Sequence, residues 1–132
     1  MVFSLYKNIN QFRSSDTPCW VDMNFPTKAP VYSICHRPES HLIVVSLADL
    51  SNPRNNEYCN VYGVDDRTGK IVWRIKEGVQ KDPPNLCRKP YYHALVELPG
   101  DTNLYVLDTW NTKWKIDIET GEVEEFERGN GY

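Results

Sequence analysis

The stretch VDDRTGKIVWRI, Val64–Ile75, is followed fifty-two residues later by IDIETGEVEEFE, Ile116–Glu127. Each copy reads as two strands joined by a tight turn. Ahead of the first turn stands NVYGVD and after it KIVWRI, both rich in the β-branched and aromatic residues that suit a pleated, half-buried surface. Gly69 and Gly121 each follow a threonine, where a chain reversing direction needs positive φ and a residue without Cβ adopts it at little cost. Beyond the first turn Ile71, Trp73 and Ile75 alternate with Val72, Arg74 and Lys76, the period of two expected of a strand. Before the second turn Trp114, Ile116 and Ile118 alternate with Lys113, Lys115, Asp117 and Glu119.

Carried along the chain without a gap, the offset of 52 also aligns His41 with His93, Val44 with Val96, and Asp49 with Asp101. Asp65 then falls on Asp117, Thr68 on Thr120, and aromatic Tyr62 on aromatic Trp114. This spacing predicts two repeated structural units, with His41 and His93 at matching strand starts. A period of forty to fifty residues, roughly, is that of propeller blades, each a four-stranded antiparallel sheet.

Tyr62, Val64, Asp65, Thr68, Gly69 and Trp73 give NVYGVDDRTGKIVWRI a form that resembles the blade motif of pyrroloquinoline-quinone-type β-propellers. In that motif an apolar strand ends in Asp, turns through Thr-Gly and resumes toward a Trp. The second copy keeps Asp117, Thr120 and Gly121 and has Glu125 where the Trp would stand. The resemblance implies blade-like sheets and no particular cofactor. A closed ring needs at least about four blades, more than 132 residues supply. The expected fold is therefore mainly β: antiparallel sheets of blade type in one domain, as a truncated propeller, a sandwich or a half-open barrel.

Within that domain, spanning 1–132, the reading gives an N-terminal unit at 1–38, a first blade-like unit at 39–78 and a second at 91–128. In MVFSLYKNINQF, Val2, Leu5, Ile9 and Phe12 sit near helical spacing, so a short helix and a strand both fit. CWVDMNF and APVYSICH alternate as strands, with Pro26, Pro30 and Pro38 marking their ends. KEGVQKDPPNLCRKP reads as a linker between units, long enough to carry a binding function.

No run approaches the length of apolar sequence that crosses a membrane, and the N-terminus lacks the basic flank and apolar core of a signal peptide. A cytoplasmic protein is expected, without membrane association. Cys19, Cys35, Cys59 and Cys87 include no Cys-x-x-Cys pair, so free buried thiols are expected rather than a zinc site, with two disulfides as the alternative only for an exported protein. Candidate catalytic groups fail in turn. His36 beside Cys35 is half of a thiol–imidazole pair with no orienting third group, and reads as a surface histidine. Asp65 with Asp66, or Asp101 with Asp108, read as turn aspartates rather than as a hydrolytic pair. No Gly-rich phosphate loop occurs. Neither an enzyme nor a cofactor is expected.

Charge is the remaining signal. Residues 1–96 hold 12 basic and 9 acidic side chains, whereas residues 97–132 hold 3 basic and 9 acidic. Glu119, Glu122, Glu124, Glu125 and Glu127, with Asp117 just ahead, crowd one hairpin and its exit. The bland account is a solvated edge that resists aggregation. The sharper account is a negative face for a basic partner protein, anchored by the neighbouring aromatics Trp110, Trp114 and Tyr105. Asp108, Trp110, Glu119, Glu122, Glu124 and Glu127 are the candidate partner-binding residues. Direct nucleic-acid binding is disfavoured, since phosphate recognition wants a basic stripe. In size, charge and missing chemistry the chain is similar to the small acidic immunity proteins of bacterial toxin systems, including contact-dependent growth inhibition. That likeness implies one cognate basic partner, a toxin domain such as a nuclease. The alternatives are a general interaction module or assembly subunit, and a small-molecule or sugar binder stacking its ligand on Trp110 and Trp114.

Overall fold

Leu42–Leu47 (LIVVSL) is buried along its whole length, and a strand hidden on both faces needs a layer on each side of its sheet. The computed structural model, which describes residues 3–6, 8–14, 21–27, 29–77 and 91–129, supplies both. Strands β1 (Phe3–Tyr6), β2 (Asn8–Ser14) and β3 (Val21–Asp22) form one three-stranded sheet. Strands β4 (Val31–Arg37), β5 (Leu42–Leu47), β6 (Val61–Asp65) and β7 (Ile71–Arg74) form a second sheet, an antiparallel meander. Strands β8 (Tyr92–Glu97), β9 (Leu104–Asp108), β10 (Lys113–Ile116) and β11 (Val123–Glu127) form a third, in the same order. Among the described residues there is no α-helix, only short 3₁₀ turns at Pro38–Ser40 and Pro53–Asn55. The protein is mainly β, a sandwich-like stack in one domain.

The helical alternative for the N-terminus is therefore corrected. The chain instead doubles back, which sets Leu5 opposite Phe12 across the β1–β2 hairpin. Asparagines at 8 and 10, poor helix formers, favour that outcome. The β4–β7 sheet also begins earlier than the 39–78 unit read from sequence, because Val31–Arg37 is its first strand. Most of the expected linker, residues 78–90, lies outside the described residues, as do Cys19 and Cys87.

The two four-stranded sheets stack front to back. Leu42, Val44, Val61, Trp73 and Ile75 of β5 to β7 and the residue beyond pack with Tyr92, Leu104, Val106, Trp114 and Ile116 of the next sheet. By ladder register Leu104 opposite Ile116 matches Ile43 opposite Val64, and those two face away, toward Met23, Phe25 and Ala29. The β4–β7 sheet thus offers one face to the segment around Met23, Phe25 and Ala29 and the other to the β8–β11 sheet. Near the first strands the sheets approach closely enough to hydrogen-bond: the Leu95 N–H donates to Ser33 Oγ (2.9 Å), and Ser46 Oγ donates to the His93 carbonyl. Asn60, wholly buried, donates to the carbonyls of Leu47 (2.7 Å) and Tyr92 (2.6 Å) and accepts from the Tyr92 N–H. Small serines permit this closeness. At the far strands the gap is filled by the Trp73 indole lying over Gly63, where any Cβ would collide with the ring.

The repeat holds in its second half. Asp65 and Asp117 accept N–H bonds from Gly69 (2.9 Å) and Gly121 (2.8 Å) at their carbonyls, and Thr68 Oγ1 and Thr120 Oγ1 each accept from the residue two ahead. Gly69 and Gly121 both have positive φ, 75° and 79°. In the first half the gapless offset fails. Thirteen residues separate β5 from β6 and four separate β9 from β10, so structural equivalence there runs at 61 rather than 52. His41 lies in the turn before β5 with φ of 50°, whereas His93 lies within β8. They are not matched positions.

Candidate functional site

An open groove of about 740 Å³ lies at the end of the molecule where the β4–β5, β8–β9 and β10–β11 turns meet. Its lining includes Glu39, Asp117, Glu119, Glu122 and Glu124, against two cations, Arg37 and Lys115. Ile116, Ile118 and Val123 supply its apolar part. Each contributor has a local cause. Asp117 Oδ1 accepts the Glu119 N–H (3.0 Å), which fixes the turn that carries Glu119 and Glu122 into solvent. Lys115 and Glu124 face each other across the β10–β11 ladder and pair at 2.9 Å, which raises the lysine pKa. Arg37, at the end of β4, reaches across the sheets to donate to the Thr102 carbonyl (2.9 Å).

Of the residues read from sequence, Glu119, Glu122 and Glu124 come together on this groove. Glu127 is exposed further along β11, 3.8 Å from Lys113. Asp108 is not at the surface. It is 1% exposed, and its carboxylate accepts the N–H groups of Trp110 (2.8 Å) and Thr112 (3.0 Å) and the indole N–H of Trp114 (3.0 Å). It shapes the β9–β10 loop, as the turn-aspartate reading of its type implies. Trp110 is half-buried in that loop. Trp114 is 1% exposed, so a stacking surface built on both tryptophans does not exist.

Arg37, Glu39 and Lys115 complete the groove and carried no signal in the sequence. Arg37 and Glu39 belong to the other sheet, and only stacking brings them near the acidic hairpin.

Two polar clusters lie outside the groove's rim. His36, expected at the surface, has a side chain only 3% exposed, and its Nε2 sits 2.9 Å from Asp66 Oδ2. His41 Nδ1 lies 3.3 Å from the other oxygen of the same carboxylate. The pair of histidines ties the β4–β5 turn to the β6–β7 turn, which also share the bond from Asp66 N–H to the His41 carbonyl (3.0 Å). Cys35, a free and buried thiol, donates to Glu97 Oε1 (2.8 Å) across the two sheets. Burial first, and then that bond, pushes its pKa up to about 11, which keeps it a thiol rather than the nucleophilic thiolate. Among the described residues no group of three or more His, Cys, Asp or Glu side chains is arranged to hold a metal ion.

The chain matches no known family model and no curated protein sequence. Among the described residues no helix is long and apolar enough to cross a membrane. What fold and site define together is a class: a mainly β, sandwich-like domain with an acid-rimmed groove across two of its sheets.

Proposed function

We propose that the protein is a non-catalytic binding module that receives one basic protein on this groove, in the manner of a small immunity protein that neutralises a cognate toxin. The observation that carries the reading is the convergence of Glu39, Asp117, Glu119, Glu122 and Glu124, from both four-stranded sheets, on one concave surface. Acids held apart on a merely solvated edge have no reason to be joined by a fifth from another sheet. Carboxylates in excess of cations on a concave surface focus field and raise the encounter rate of a cationic partner. Arg37 and Lys115 supply points of opposite sign that fix the register of what docks. The front-to-back stacking and the seat of Trp73 support a likeness to propeller blades as the scaffold of that surface.

The test is capture of the partner from cells, followed by association kinetics. The expected partner is basic, and its on-rate falls as salt rises, since exposed charges are screened over roughly 8 Å at physiological ionic strength. Changing Glu119, Glu122 and Glu124 together to Lys should slow association about tenfold or more at low salt. An on-rate indifferent both to the triple reversal and to salt would reduce the acidic hairpin to a solvated edge.

A further inference from the structure

We infer that Trp73, which no groove residue touches in sequence, is the positioning residue for the acidic turn, so that the groove is set by the packing of the neighbouring sheet. This rests on the reading of the groove as a docking surface. The turn at 117–122 is closed by its own hydrogen bonds, but those fix only its shape. Its place relative to Arg37 and Glu39 is decided by contacts with the β4–β7 sheet. Trp73 makes two of them. Its Nε1–H donates to the Ile118 carbonyl (2.8 Å), and its ring lies where a Cβ on Gly121 would come within 2.7 Å of Cε3. A third comes from the same strand end, where the Lys76 N–H donates to the Gly121 carbonyl (2.9 Å).

Ile118 and Gly121 are the immediate neighbours of Glu119 and Glu122. The turn is thus gripped at the two points beside its groove-lining carboxylates. The grip is rigid because the indole has nowhere to go. It is buried, it fills the space over Gly63, and its single donor is spent on the turn. A shift of Trp73 by a fraction of its width would carry Glu119 and Glu122 with it and change their distance from Arg37. A preorganised set of charges binds without the cost of ordering them, and here the ordering comes from a residue that need not touch the partner.

Two measurements decide it. In Trp73→Phe, which keeps an aromatic ring and loses the donor, amide exchange at Glu119 to Glu122 and at Lys76 should quicken about tenfold, consistent with the net worth of one hydrogen bond. Amides of β5 and β9 should keep their protection, which a general loss of stability would not allow. In the unaltered protein, hexalysine is added while indole N–H resonances are followed. The Trp73 signal should move together with the Glu119 and Glu122 amides, and the Trp114 signal, locked on Asp108, should stay. Hexalysine that moves those amides and leaves the Trp73 signal fixed, or turn exchange unchanged in Trp73→Phe, would overturn the positioning role and leave the groove reading intact. Amides at 119–124 that ignore hexalysine would defeat the groove reading, and the exchange data would still decide whether Trp73 holds the turn.

Discussion

Gly69, Gly100 and Gly121 share a positive φ, yet they should not respond alike to substitution. A Cβ at Gly100 meets nothing within 4 Å, so Gly100→Ala should cost only the backbone penalty, about 1 kcal/mol. At Gly69 the same atom would collide with the Asp22 carbonyl, and at Gly121 with the Trp73 ring. Gly69→Ala and Gly121→Ala should each lower stability by well over about 1 kcal/mol in a denaturant titration. Equal losses at all three positions would refute the close packing of the turns. Asp108 makes a similar contrast. Its replacement by Ala takes the acceptor from three N–H donors, two of them buried, and should cost roughly 2–4 kcal/mol, with no direct part in partner binding. Cys35 should resist labelling by a thiol reagent at pH 8 in the native state, at least about 100-fold relative to denatured protein. Its raised pKa also makes the stability it contributes full below the ordinary thiol value of 9.0, declining above that and lost once pH has risen through about 11.

At the scale of the hairpin, the two copies differ in what they bury. Val44, Val61, Gly63 and Trp73 lie on the face of the β4–β7 sheet that takes the next layer. On the matching face of the β8–β11 sheet stand Tyr105, Lys113, Lys115 and Glu124, with cross-strand ion pairs where apolar fillers would be. Each outermost strand also carries an extra residue, Val72 in β7 and Phe126 in β11, that breaks the ladder. Such bulges, together with charge, discourage pairing of one edge with another. The first turn has its own acid dependence. Arg67, hydrogen-bonded to Asp65, lowers the carboxyl pKa to about 2. A depressed value means that this contribution to stability is complete above pH 4, roughly the ordinary carboxylate value, and is lost as pH falls toward 2. Asp65→Asn should flatten the stability profile in that window, as read from urea titrations at several pH values. A profile as steep as that of the unaltered protein would show that other carboxylates dominate.

For the whole molecule the deciding element is the seam between the sheets. Asn60 alone makes three buried hydrogen bonds there, and Ser33 and Ser46 let β4, β5 and β8 approach. Removing the Asn60 amide takes a donor from two carbonyls and an acceptor from one N–H in the core. Asn60→Ala should therefore cost roughly 3 kcal/mol or more, and it should loosen the groove as well, because Arg37 and the acidic turn sit on opposite sides of that seam. Thermal unfolding gives the first effect and the salt dependence of association the second. Loss of stability with unaltered association kinetics would separate the seam from the groove.

How much of this was legible in the chain depends on the range of the forces involved. Asp65-x-x-Thr68-Gly69 and Asp117-x-x-Thr120-Gly121 fixed two turns by themselves, since carboxylate, hydroxyl and missing Cβ act within five residues of one another. Alternation gave the strands for the same local reason, and the crowding of glutamates announced the acidic hairpin. The equivalence of the first two strands was hidden because the β5–β6 loop is nine residues longer than its counterpart, and periodicity has no means of placing a gap. His36 looked like a surface residue until Asp66, thirty positions away, turned out to face it. Asp108 and Trp114 looked available, and each proved to be the buried partner of the other. Only tertiary structure could bring Arg37 and Glu39 to the acidic turn, because the groove exists solely where two sheets stack, and the sense of that stacking is set by Trp73, Gly63 and Asn60 acting across distances in sequence that no local pattern records.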